Sequence, residues 1–299
     1  LRLGGVVAFM PWPVIEGFTL GIAVIIFLQQ VPAALGVAKP EGENTAAVAA
    51  QALVDAAGTA TVRALVLVAV TVAVLVVVPR IHRAFPASLL AVVAATILAQ
   101  LLDWDVATIG ALPSALPTLH VPGVGLSAVS DFVGPAFAVA MLAAIESLLS
   151  AKVADGMGDG RRHNPDRELV GQGLANVAAP LLGGMPATGA IARTAVNVRA
   201  GARTRVAAIV HSVVLVAIVL FGSGVVAHIP LASLAAVLMV TAVRMIEPHN
   251  VVAVVRSTRS DALVLVLTAA ATVVFDLIVA VEIGVAVAAV LALRNVART

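Results

Sequence analysis

Cysteine and tyrosine are absent from these 299 residues, aromatic side chains make up 3% and charged ones only 11%. Each shortage excludes something. Without cysteine there is no disulfide framework and no thiolate metal site, and the redox compartment leaves no trace. With so few aromatics, any belt at a membrane interface is thin. A soluble domain carries about 25% charged residues because its surface faces water. This chain cannot coat such a surface. What fills it is apolar, with 61% hydrophobic residues and a mean hydropathy of +1.11. Ala and Val dominate, and small side chains let helices pack closely. The solvent this composition expects is a bilayer. The formal charge of +2 does not point to nucleic acid, because the basic residues gather at the ends of apolar segments, where topology accounts for them.

A bilayer core of about 30 Å takes about 20 apolar residues per helix. That ruler yields ten segments, at 13–35, 64–78, 86–102, 132–151 and 169–182, a short one at 189–198, then 206–227, 231–245, 262–279 and 281–293. The last two are joined by a tight hairpin flanked by Asp276 and Glu282. Pro11-Trp12-Pro13 with Glu16 opens the first helix at the cytoplasmic interface, with Trp12 as anchor. If residues 1–11 are cytoplasmic, fifteen Lys and Arg fall inside, Lys39 and Arg63 fall outside, and Arg193 lies within the membrane, which accounts for all eighteen. This strong positive-inside bias holds only if the short segment at 189–198 returns the chain to the cytoplasm. The outer stretch 103–131 has neither Lys nor Arg. The expected location is the cell inner (plasma) membrane, crossed many times.

The segments group as three, four and three. Many transporters are two inverted repeats whose broken helices meet at the midplane, and this grouping is what two seven-helix repeats leave after losing their first four helices. The expected fold is therefore an all-α, polytopic membrane protein of the inverted seven-helix-repeat type, with about ten of fourteen helices present and one of them a broken half-helix.

The stretch richest in chemistry is Gly183-Gly184-Met185-Pro186-Ala187-Thr188-Gly189-Ala190-Ile191-Ala192-Arg193-Thr194. Each unsatisfied backbone group in hydrocarbon costs several kcal/mol, so irregular backbone there must be buried in protein or line a watery cavity. Gly183, Gly184, Pro186 and Gly189 nevertheless predict a break. A helix restarting near Gly189 turns free N–H groups and its positive dipole end into that cavity, which is an anion-binding device. Arg193 follows about one turn later. A cation in the membrane costs at least about 2.5–3.5 kcal/mol on insertion scales, so it needs a reason. One reason is added positive potential for an anion held by Thr188, Gly189, Ala190, Ile191, Ala192 and Arg193. The other is structural, capping carbonyls or pairing with Glu146. Thr188 and Thr194 either donate to the ligand or satisfy freed backbone groups. Glu146 is the second intramembrane charge, with Ser147 beside it and Ser150 one turn on. It either carries a proton or contacts a cation during transport, or it makes an internal salt bridge with Arg193 or a polar contact between helices.

Other features are bland. Residues 155–168 are the most polar run, and Asp155, Asp159 and the glycines only faintly resemble a calcium loop, since the twelve-residue spacing and closing Glu are not met. They read as a cytoplasmic connector, with Asn164 or Asp166 capping the next helix. Gly123-x-Gly125-x-x-Ala128 lacks a preceding strand. The six histidines have no metal spacing, and His211 reads as a packed polar residue. No G-x-S-x-G, H-E-x-x-H or pair of intramembrane aspartates appears, so no enzyme activity, cofactor or metal is expected.

At these residues the chain resembles the SulP family of sulfate permeases, the prokaryotic branch of solute carrier family 26. The resemblance runs through Pro11-Trp12-Pro13-Val14-Ile15-Glu16-Gly17-Phe18-Thr19-Leu20-Gly21-Ile22-Ala23, Ala144-Ile145-Glu146-Ser147-Leu148-Leu149-Ser150-Ala151 and Glu168-Leu169-Val170-Gly171-Gln172-Gly173-Leu174-Ala175-Asn176. It continues through 183–193 to Asn197 and Gly201-Ala202-Arg203-Thr204, and so covers essentially the whole chain. It implies a core domain moving against a gate domain, with an anion held between two facing half-helices, one per repeat. The second of these starts at Gly189-Ala190-Ile191. The family's site arginine matches Arg193, its coupling carboxylate matches Glu146, and a neighbouring hydroxyl position matches Ser150. Under this resemblance residues 1–130 are the first gate helices and outer loop, 131–228 the second half of the core, and 229–299 the second gate helices. The first four helices and the cytoplasmic STAS domain fall outside the chain. Ile191 and Ala192 replace hydroxyl residues of some relatives, which argues against sodium coupling.

The expected function is secondary active transport of small anions (sulfate, dicarboxylate or bicarbonate class) by alternating access, as a proton symport. The alternative is uncoupled exchange or channel-like conduction, which needs the same positive site. The expected partners are the anion, a proton, the lipid bilayer and a second copy in a homodimer, with no nucleic acid.

Overall fold

A computed structural model of the chain describes residues 12–274, apart from 43, 57, 83–84, 113–114, 116–117, 120–122, 124, 126–128, 158–161, 191–192, 195–196 and 199–200. The expected segment at 281–293, the hairpin before it and the start at residues 1–11 lie outside the described residues. Among the described residues the regular structure is helical, with one isolated bridge between Thr108 and Pro230. Among the described residues five stretches are long and apolar enough to cross a membrane: Trp12–Leu35, Ala60–Ile81, Val129–Leu148, Val206–Val226 and Leu231–Ser257.

The chain divides into two compact units, one within Ala115–Leu220 and the other within Pro11–Ser114 and Phe221–Thr299. In the second unit, α1 (Trp12–Gln29) leads into a short α2 (Val31–Leu35) that ends on Gly36 in the left-handed region. Then come α3 (Thr45–Asp55), α4 (Gly58–Ile81) and α5 (Ala87–Leu101). Asn44 caps α3, its Oδ1 accepting from the Ala46 and Ala47 N–H groups at 3.0 Å each. This α3 went unseen in the sequence.

The core of this unit is rich in small side chains. Ala91, Ala95 and Ala99 recur every four residues on α5 and are buried, and Ala95 and Ala99 share a cluster with Ala64 and Leu67 of α4. The first helix packs on α12 (Arg259–Val274) so closely that a Cβ added at Gly17 would lie 2.5 Å from the Leu265 carbonyl oxygen, and one at Gly21 would lie 2.5 Å from the Thr272 Cβ. Pro79 inside α4 has no N–H for the carbonyl four residues back. Arg244, in the last turn of α10 (Leu231–Met245), donates to that Leu75 oxygen at 2.9 Å. Between α10 and α12 lies α11 (Pro248–Ser257), opened by Pro248, the residue type favoured at a first helical position. Glu16, expected at the interface, is buried against α11, where Asn250 donates to it at 3.3 Å and to Glu247 at 2.6 Å.

The first unit holds α6 (Val129–Met157), α7 (Pro165–Leu181), the break that follows and α8 (Val206–Ala217). A π-helical turn at Ile218–Gly222 joins α8 to α9 (Ser223–Val226), with which the chain re-enters the second unit.

Candidate functional site

The break begins with a helix stop. Pro180 limits the end of α7, and Gly183 adopts φ +70°, a left-handed conformation that glycine takes without penalty. The Gly184 N–H reaches the Ala179 carbonyl at 2.8 Å and the Gly183 N–H the Pro180 carbonyl at 3.0 Å. These two bonds are the Schellman motif, which satisfies the last carbonyls of a helix. Residues 184–190 then run without regular structure, as Gly183, Gly184 and Pro186 predict. Helical bonding resumes with the Thr194 N–H donating to the Ala190 carbonyl at 2.9 Å, and Arg193, Thr194, Asn197 and Val198 are helical.

Side chains of α6 and α7 hold the irregular segment. Ala187 is bonded on both sides of its backbone: its N–H donates to Asn176 Oδ1 at 2.7 Å, and its carbonyl accepts from Asn176 Nδ2 at 2.9 Å and from Gln172 Nε2. The Thr188 hydroxyl donates to the Ala143 carbonyl at 3.0 Å. The Thr194 and Ser150 hydroxyls are 2.5 Å apart, and the Ser147 hydroxyl donates to Glu168 Oε1 at 2.7 Å. Ser147 and Ser150 are buried, and Gly189 faces them, since a Cβ there would lie 3.4 Å from Ser150 Oγ. The buried face of α6 through Ala143, Ser147 and Ser150 therefore receives Thr188, Gly189, Thr194 and Glu168.

Of the expected anion-binding residues, Thr188, Gly189 and Ala190 lie in this held segment, and Arg193 is exposed on the turn that follows. Ile191 and Ala192 lie outside the described residues. Glu146 is half-buried on α6, and its neighbour Ser147 is bonded to Glu168 rather than to it. Among the described residues no ion pair joins Glu146 to Arg193; the one ion pair there is between His163 and Asp155, 2.7 Å apart.

That pair closes the polar connector. The Asp155 carboxylate accepts from the His163 ring and, at 2.9 Å, from the His163 N–H. Burial alone would raise its pKa, but these hydrogen bonds and the charges of His163 and Arg162 outweigh burial and hold it below its ordinary value. Asn164, one of the two expected caps, accepts from the Arg167 N–H at 3.0 Å and starts α7.

Sequence reasoning missed the role of α7. Glu168, Gln172 and Asn176 are spaced by four, which puts them on one helix face, and all three are engaged inside the unit. Val170, Leu174 and Val177 are exposed on another face, each more than 60% accessible. The helix is thus polar inward and apolar outward, the reverse of a helix on a water-soluble protein. The signal was present in the spacing.

A family model described as the sulfate permease family matches residues 1–268. The chain is 40% identical over 299 residues to the putative sulfate transporter YvdB of Bacillus subtilis, covering 98% of this chain and 56% of that protein. It is 33% identical to the bicarbonate transporter BicA of Synechocystis, over 97% of this chain and 52% of that one. The chain therefore spans about half the length of the curated relatives it matches. Among solved structures, the transmembrane domain of a cyanobacterium bicarbonate transporter BicA superimposes with a TM-score of 0.79 at 32% identity, covering 94% of this chain and 71% of that chain. The structure of SLC26A9 gives 0.81 at 18% identity, covering 96% and 47%, a likeness of fold alone. With helices of membrane-crossing length and bacterial relatives named as transporters, this is a helical protein of the plasma membrane, in a family of transporters rather than enzymes. The chain belongs to the sulfate permease family.

Proposed function

We propose that the chain forms the membrane part of a secondary active transporter of small anions of the sulfate, dicarboxylate or bicarbonate class, working by alternating access. The observation that carries this reading is the break at 184–190, backbone out of any helix in a chain built for lipid, with its groups held by side chains of α6 and α7. Backbone of this kind is tolerated at membrane depth where it lines a cavity. The names of the relatives, sulfate and bicarbonate transporters, support the anion class.

In this reading the anion sits at the segment Thr188, Gly189, Ala190, Ile191, Ala192 and Arg193, with backbone N–H groups and the Arg193 charge as the attractive elements. The Thr188 and Thr194 hydroxyls serve the scaffold, consistent with their bonds to Ala143 and Ser150. Glu146 carries the coupling proton, on the face it shares with Ser147 and Ser150. The unit within Ala115–Leu220 supplies the second half of the core, the other unit supplies the gate, and two copies assemble as a homodimer. Uptake of labelled anion into liposomes tests the site: Arg193→Ala abolishes uptake in a folded protein, and normal uptake by that variant removes the assignment. Glu146→Gln weakens pH-driven uptake. A proton gradient that by itself drives no accumulation replaces symport with uncoupled exchange.

A further inference from the structure

The irregular segment is held at one residue more tightly than anywhere else. Both backbone groups of Ala187 are bonded to the side-chain amide of Asn176, at 2.7 and 2.9 Å, and the carbonyl takes a second donor from Gln172 one turn earlier on α7. Only one orientation of the Asn176 amide satisfies both contacts, with the oxygen toward the N–H and the nitrogen toward the carbonyl. One turn before Gln172, Glu168 accepts from Ser147, so the same face of α7 is tied to α6. The break and the buried face of α6 are thus referred to a single rigid helix.

The consequence is electrostatic as well as geometric. Ala187 lies two residues before Gly189, and a carbonyl free to rotate there would present the negative end of its dipole to an incoming anion. Two amide donors commit that oxygen to α7. We propose that Gln172 and Asn176 are positioning residues for the anion site, fixing the Ala187 peptide so that its carbonyl faces α7 and the backbone beyond it is set for an anion. This inference rests on the reading of residues 188–193 as the anion site. A helix-stabilising clamp alone would change how much protein folds, while the affinity of the folded protein for anion would stay the same.

The test compares the KM and maximal rate of labelled sulfate and bicarbonate uptake for the reconstituted full-length protein. Asn176→Ala is expected to raise KM by about 3- to 10-fold, the equivalent of one net hydrogen bond, with a smaller change in maximal rate. Asn176→Asp keeps the acceptor for the Ala187 N–H but turns a carboxylate oxygen on the carbonyl, so it raises KM further, and more for divalent sulfate than for monovalent bicarbonate. Gln172→Met, which keeps length and loses the donor, gives a smaller rise in the same direction. If Asn176→Ala does not fold, the other two variants carry the test. An unchanged KM in the folded Asn176 and Gln172 variants, alongside loss of uptake in Arg193→Ala, overturns the positioning role and leaves the site standing. Normal uptake in Arg193→Ala, or no saturable uptake of sulfate, bicarbonate or a dicarboxylate by the unaltered protein, overturns both.

Discussion

The two units of this chain are held together by different means. In the unit of α1 to α5 and α10 to α12, helices touch through Gly and Ala, and the buried residues include Val14, Leu67, Ala91, Ala95, Ala235 and Ala236. In the unit of α6 to α8, burial is confined among the described residues to the face of α6 near Ala143, Ile145, Ser147, Leu148 and Ser150, and α7 and α8 have no buried residue. What joins its parts is a set of side-chain hydrogen bonds from Ser147, Ser150, Glu168, Gln172, Asn176 and Thr188. Apolar burial has little to offer between helices in lipid, where association relies on close packing and on polar contacts. One unit uses the first device and the other uses the second. A close-packed body resists deformation, whereas a hydrogen-bonded one keeps polar groups near a site that needs them.

This contrast makes opposite demands on substitution. The largest effect is expected at α1: Gly17→Ala puts a Cβ 2.5 Å from a backbone oxygen that no side-chain rotation can move, and overpacking of this kind costs up to about 3 kcal/mol or more. A thermal unfolding midpoint near that of the unaltered protein would remove close packing as the explanation. The matched change in the other unit, Gly171→Ala on α7, meets nothing within 4 Å. It should be neutral or stabilise by up to about 1 kcal/mol through helix propensity, and a clear loss of stability there would break the comparison.

Removing the Ser147 hydroxyl by Ser147→Ala should cost about 1–3 kcal/mol by leaving its Glu168 partner short of a donor, read in the same melting experiment. Asp155→Asn should cost less, under about 1 kcal/mol at neutral pH, as expected of a pair near the surface. The sign follows from the depressed pKa. Stability from the folded-state carboxylate is present above its ordinary value of 3.8 and is lost as pH falls through the lower, folded-state pKa. The gap between Asp155→Asn and the unaltered protein should therefore hold from pH 7 down to about 4 and close below that. The smallest effect is expected at Thr71, whose buried hydroxyl has no hydrogen-bond partner among the described residues: Thr71→Val should leave the midpoint unchanged or raise it slightly.

Much of this was legible in the sequence, and the exceptions share a cause. The long apolar helices follow from hydropathy, since each must span the same thickness of hydrocarbon. The Gly183 stop is legible because a left-handed residue after a proline-limited helix calls for glycine. The helices α3 and α11 were missed because a ruler of about 20 apolar residues passes over segments of 11 and 10. The partners of Thr188 and Thr194 depend on α6 approaching the break from some 45 residues away, and no local pattern encodes that approach. The face of Glu168, Gln172 and Asn176 is an intermediate case. Its spacing was visible, but only the structure says that the face turns inward and grips Ala187.

Transport in this scheme depends on the segment after the break holding the anion. The direct measurement is equilibrium binding of labelled sulfate or bicarbonate to purified full-length protein at fixed ionic strength, comparing the unaltered protein with Arg193→Ala at equal folded fraction. Saturable binding that weakens by about tenfold or more on losing this charge, a loss in the range of one charge-assisted contact, is the result this account predicts. Equal affinity in the two proteins would contradict it.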